Sequence, residues 1–139
     1  MHPTVPPPAS GRARAISRLP AAAALALAVL ATPASATELV MVEQPGCYHC
    51  AQWHKEIGPA YPRTAAGAHA PLRPVMIRDI PDDLSFERRV VFTPTFIVVD
   101  ADGTELGRLE GYPGADFFWP LIEALLGETS GFSPPEPGR

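Results

Sequence analysis

Cysteine is nearly absent from this chain. Its 139 residues contain two, Cys47 and Cys50, three positions apart. Two cysteines exclude a disulfide framework and a four-cysteine metal knot. Covalent haem attachment is excluded too, because Ala51 stands where Cys-x-x-Cys-His needs histidine. Long apolar runs are also missing. The longest, Ala21 to Ala31, has 11 residues, and a membrane-spanning helix needs about 20. Basic side chains are few, 11 against 15 acidic.

The apolar run sits in a recognisable order. Arg12, Arg14 and Arg18 precede it, and Ala34-Ser35-Ala36 follows it with small residues at the two positions a signal peptidase reads. Charged n-region, short h-region and A-x-A site make residues 1–36 a secretory signal peptide, cleaved after about Ala36. The alternative is retention of the same segment as an anchor. The remaining Thr37 to Arg139 carries 8 basic and 15 acidic side chains, a net charge of −7, which argues against a nucleic-acid partner. About 100 residues bury a core without extra staples. A disulfide closed over two intervening residues restrains little of the unfolded chain. The pair therefore points to chemistry more than to stability.

The periodicities predict an α/β order. Glu38 to Glu43 is an apolar run between charges, suited to a strand buried on both faces. Gln44-Pro45-Gly46 breaks it. Cys50, Trp53, Ile57 and Ala60 or Tyr61 then recur at helical spacing, until Gly58-Pro59 ends or kinks the helix. Pro62 to Gly67 gives a second helical piece, and Leu72 to Ile77 a second strand. Pro81-Asp82-Asp83 opens a short helix through about Arg89, its aspartates favourable at a helix N-terminus. Phe96 to Val99 is β-branched, and Asp102-Gly103 makes a hairpin turn to a return strand, Thr104 to Gly111. A last helix places Phe117, Leu121, Ala124 and Leu125 on one face, and tolerates Pro120 only in its first turn. The folded domain is expected over 37–127, with 128–139 a disordered tail.

A strand, a Cys-x-x-Cys at a helix start, a further βα unit, then Thr93-Pro94-Thr95 entering a hairpin and a closing helix: this order resembles the thioredoxin superfamily. The resemblance covers about Glu38 to Leu126. It implies a thioredoxin-like fold, a central mixed sheet of about four strands flanked by helices. Glu38-Leu-Val-Met-Val-Glu-Gln-Pro-Gly-Cys47, Glu56-Ile-Gly-Pro-x-Tyr-Pro62, Phe92-Thr-Pro-Thr-Phe96 and Glu110-Gly-Tyr-Pro-Gly-x-Asp-Phe-Phe-Trp119 are similar to the SoxS-type periplasmic thioredoxins that accompany bacterial sulfur-oxidation (Sox) clusters. That similarity implies a periplasmic thiol reductase for sulfur-oxidation proteins, notably the cysteine-bearing SoxYZ carrier. Electrons would arrive from a membrane thiol transporter.

In that setting Cys47 is the attacking thiol, since free N–H groups and the macrodipole at a helix start favour thiolate. Cys50, turned inward, resolves the mixed disulfide. No cofactor beyond this dithiol is expected, and a monomer suffices. Tyr48 and His49 tune the potential. A histidine before the second cysteine stabilises the thiolate and makes the disulfide more oxidising, or is merely solvated. Thioredoxin keeps an aspartate six residues before its first cysteine; Met41 stands there. Glu43 is the substitute, acting through a water, or else a solvated strand end. The resemblance also implies a cis Pro94 packed against the cysteines, with the Thr93 backbone offered to an extended substrate. Tyr112-Pro113 could border that groove. Trp53, Phe117, Phe118 and Trp119 are core or rim packing. His54 and His69 carry no signal of their own.

Two readings compete with the reductase. The same residues run in reverse make an oxidase or isomerase. A metal-binding or redox-sensing module would have to gather Cys47, Cys50, His49 and His54 from a single helix, whereas a closed zinc site wants four ligands.

Overall fold

The computed structural model describes Met1, Thr4 and residues 36–136. The chain divides into two units, Met1–Ala31 and Thr32–Arg139. The signal segment assigned to 1–36 lies outside the described residues, apart from Met1, Thr4 and Ala36. The regular elements of the described residues belong to the second unit.

Those elements are strand β1 (Glu38–Glu43), helix α1 (Tyr48–Glu56), a 3-10 turn (Tyr61–Arg63), helix α2 (Ala65–His69), strands β2 (Leu72–Met76), β3 (Thr95–Val99) and β4 (Glu105–Glu110), and helix α3 (Ala115–Ser130). The strands form a four-stranded sheet in the order β2-β1-β3-β4. β2 runs parallel to β1, while β3 and β4 are antiparallel to their neighbours. The fold is α/β, a mixed sheet flanked by helices. β1 is enclosed on both sides and both faces, and Leu39, Val40, Met41 and Val42 are all fully buried. Its unbroken apolar run is what such a central strand requires.

Alternation along the strands divides the core. On one face Leu39, Met41, Phe96 and Val98 meet the helices through Trp53, Ile57, Tyr61, Phe118, Ile122 and Leu126. On the other, Val40, Val42, Ile97 and Val99 meet Val75, Leu84 and Val90, with Ile77, Ile80 and Phe86 at the margin. The second face is covered by the long connection between β2 and β3, and no helix forms there.

The helix expected from Pro81 to about Arg89 is thus corrected. One turn forms, with the Leu84 N–H donating to the Pro81 carbonyl. The chain then extends: Ser85 donates to the Gly103 carbonyl and accepts from the Glu105 N–H, pairing with the hairpin. Leu84 and Phe86 stand two apart, a strand period that faces both to the sheet. Burying them outweighed the favourable aspartates at a helix start.

Helix α3 differs from expectation in three respects. Its buried residues are Phe118, Ile122 and Leu126, a stripe one residue on from the one expected. Phe117 and Leu121 are exposed, 64% and 44%. Pro120 lies in the second turn, on the solvent side, where water can satisfy the carbonyl that lacks its N–H partner. The helix also runs past 127 to Ser130. Gly131 ends it at φ +70°, and the Phe132 N–H returns to the Leu126 carbonyl, a Schellman-type end with an apolar residue just beyond it. Phe132 is buried against the core beside His69. Ordered chain therefore continues beyond the boundary drawn at 127.

A candidate redox site at the start of helix α1

The site is built where β1 ends. Pro45-Gly46 turns the chain, with Gly46 at φ +78°, a value that L residues seldom adopt. The Cys47 N–H donates to the Gln44 carbonyl at 3.3 Å. Cys47 is the N-cap of α1: its backbone is extended, and its sulfur accepts from the Cys50 N–H at 3.1 Å. The two sulfurs are bonded to each other, with Cα atoms 5.3 Å apart. Cys47 is partly buried and Cys50 only 3% exposed. An incoming group thus meets Cys47 first, and Cys50 one turn on supports it from the core side.

The sheet brings the second half of the site to the same end. Val42 pairs with Thr95, so Thr93-Pro94 enters β3 where β1 leaves for the cysteines. The Thr93–Pro94 bond is cis. Thr95 donates its hydroxyl to the Phe92 carbonyl, and the Gly111 N–H donates to the Pro94 carbonyl at 2.8 Å. That bond ties the end of β4 to the proline loop. Tyr112, next in the chain, is buried in the cluster that holds Cys50. Its hydroxyl donates to Glu56 Oε2 at 2.6 Å. Burial, then this bond, pushes the Tyr112 phenol well up. The same bond, followed by one from Gln52, holds the Glu56 carboxyl below the usual range. The contact joins the far end of α1 to the β4–α3 turn.

Glu43 is not a solvated strand end. Its side chain is 14% exposed and lies 2.6 Å from His54 Nε2. His54, a residue with no signal in the sequence, also packs edge-on against the buried Trp53 ring. The pairing joins residues 11 apart across a strand and a helix, and no sequence period reports it. Tyr48 is 73% exposed and stacks edge-on with exposed His49. Trp53 and Phe118 are core, Trp119 packs at its margin, and Phe117 faces solvent. Among the described residues, no three His, Cys, Asp or Glu side chains gather as a metal-holding group.

A buried cysteine one helical turn after a partly buried one, bonded to it at a helix start and beside a cis-proline loop, is machinery for thiol–disulfide exchange. A thioredoxin-like domain family matches residues 26–126, and the chain belongs to that family: it is a thiol–disulfide oxidoreductase. Among solved structures it is similar to the periplasmic thioredoxin SoxS from Paracoccus pantotrophus in its reduced form. The identity is 50%, over 66% of this chain and 97% of that one, with a TM-score of 0.63. A thioredoxin-fold protein from Helicobacter pylori shares the fold at 20% identity, over 72% of this chain and 73% of that one, with a TM-score of 0.50. No curated protein sequence matches significantly.

Proposed function

We propose that this chain is an exported, periplasmic reductase that acts on disulfides or modified cysteines of partner proteins in sulfur oxidation, the SoxYZ carrier among them. The observation that carries the reading is the Cys47–Cys50 pair at the N-cap of α1, set in a chain half identical to a periplasmic thioredoxin. In the reduced protein the Cys47 thiolate attacks a partner disulfide, and one partner sulfur leaves as thiolate. The Cys50 thiol, deprotonated, then displaces the second from the mixed disulfide, and two electrons have passed to the partner. The Cys50 N–H that already points at the Cys47 sulfur stabilises the thiolate better than the thiol. Thr93, outside β3, offers its backbone to the substrate, and Pro94 shapes the groove. Tyr48, His49 and the His54-held Glu43 set the potential. The dithiol needs no further cofactor, and a membrane thiol transporter re-reduces it.

The opposite direction, oxidase or isomerase, uses the same atoms, and exposed His49 beside Cys50 favours it. Equilibration with glutathione separates the two. A potential near thioredoxin's roughly −270 mV supports a reductase, and one near about −120 mV overturns that direction.

A further inference from the structure

Beside the cysteines the structure holds a basic cavity that disulfide exchange does not itself require. It has a volume of about 440 Å³, and its walls include Arg78, Arg88 and Arg89 with Ile77, Val90 and Val91. No carboxylate lines it. Such a concentration of charge is unexpected where residues 37–139 carry only 8 basic side chains against 15 acidic. Two of the three arginines are uncommitted. Arg88 pairs with Glu110, whereas among the described residues the side chains of Arg78 and Arg89 make no ion pair. A second cavity of about 330 Å³ shares Gln44, Ile77 and Arg78 and extends the trough past Pro45 and Met76. Its one carboxylate, Glu43, is held by His54. Gln44 is the residue whose carbonyl receives the Cys47 N–H, and Val91 lies three residues before Pro94. The trough therefore opens beside both halves of the redox site. Val91 and Met76 in its walls stand 62% and 43% exposed, and Phe92, next to Val91 in the chain, is 60% exposed.

We infer that this trough docks an acidic segment of the partner polypeptide, a few residues from the cysteine being reduced, with apolar side chains on the Val91-Phe92 rim. The inference rests on the reading under Proposed function and supplies the substrate class that it leaves open. Three features fix the occupant. Three arginines around one cavity whose own walls hold no carboxylate, two of them without an ion pair among the described residues, call for an anion. The two joined cavities are longer than one small anion fills. The exposed apolar rim calls for side chains that only a polypeptide brings along with its charge. Elsewhere the acidic surface repels an acidic partner, so the arginines set the approach as well as the grip.

The test uses the full mature chain, reduced, with peptides carrying one cysteine as a mercaptoethanol mixed disulfide. Three aspartates, or three asparagines, flank the cysteine on one side. Single-turnover rates are measured for the wild type and for Arg78→Gln/Arg89→Gln, each normalised to a small uncharged disulfide. The wild type is expected to prefer the aspartate peptide by roughly fivefold at low salt. The preference should fall below about twofold in the double variant, and in the wild type at about 1 M salt, where the screening length is roughly 3 Å. An unchanged preference in the variant, or none in the wild type, overturns the inference. An equal variant effect on a small dicarboxylate disulfide removes the polypeptide from it. A wild type that sediments as a dimer, with the variant a monomer, overturns it by giving the trough to a second acidic copy. Failure to reduce any disulfide instead contradicts the oxidoreductase reading on which all this rests.

Discussion

Replacing Phe118 by alanine should cost this domain more than replacing its neighbour Phe117, although both are aromatic and adjacent in one helix. Phe118 is fully buried. Its ring lies 5.1 Å from Phe96, 5.8 Å from Trp53, 5.9 Å from Tyr112 and 5.6 Å from Trp119. It thus joins α3 to β3, to the helix carrying Cys50 and to the Tyr112 turn. Truncating a buried phenylalanine costs about 3–5 kcal/mol through lost transfer and the cavity left behind. The upper half of that range applies here, because four rings around one site cannot all collapse into the space. A domain of about 100 residues has roughly 5–15 kcal/mol in total, and each kcal/mol moves Tm by about 4–8 °C. Phe118→Ala should therefore melt roughly 16–40 °C lower, while Phe117→Ala, at 64% exposure, stays within about 0.5 kcal/mol of wild type. Urea unfolding followed by far-UV circular dichroism and by tryptophan fluorescence reads both. A Phe118→Ala loss below about 1.5 kcal/mol, or an equal loss for Phe117→Ala, would refute the packing described.

Other consequences are narrower. A Cβ on Gly67 would come within 1.9 Å of the Tyr61 carbonyl oxygen, so Gly67→Ala should destabilise by at least about 2 kcal/mol in urea titration. Glu105 and Arg108 form a two-point ion pair with side chains only 2% and 5% exposed; Glu105→Gln leaves the guanidinium with Glu110, at 3.6 Å, as its ion-pair partner and should cost about 3 kcal/mol. Burial pushes the Glu105 carboxyl up, but the Arg108 bonds and the Glu87 N–H outweigh it and leave the pKa lowered. A lowered folded value gives stability above the unfolded pKa of about 4.3 that is lost as pH falls through the folded value. Wild type should therefore lose more stability than Glu105→Gln between about pH 5 and 3. In Tyr112→Phe, the Glu56 carboxyl should titrate at a higher pH than in wild type, read by NMR of its side chain, because its largest stabilising bond is gone.

Local signals carried much of this architecture. The enclosed β1, the Asp102-Gly103 hairpin and the helix after Gly46 each follow from a run, a dipeptide or a spacing confined to a few residues, and the structure has them all. The features hidden from a sequence reading depend on partners distant in the chain. Ser85 gives its backbone to Gly103 and Glu105, so after one turn at Pro81 the chain extends despite its helix-start chemistry. The α3 stripe moved by one position because Phe118, and not Phe117, meets Trp53 and Phe96. The cysteine pair was legible as a spacing. The Glu43–His54 contact and the arginine trough were not, since each assembles residues from separate elements.

The central claim is that Cys47 attacks and Cys50 resolves, and trapping on one reference disulfide tests it directly. Cys50→Ser should accumulate a single stable mixed disulfide, located by mass spectrometry at Cys47, with no second product released. Cys47→Ser should form none at the same rate. An adduct at Cys50 in Cys47→Ser, or continued turnover without Cys47, would contradict the account.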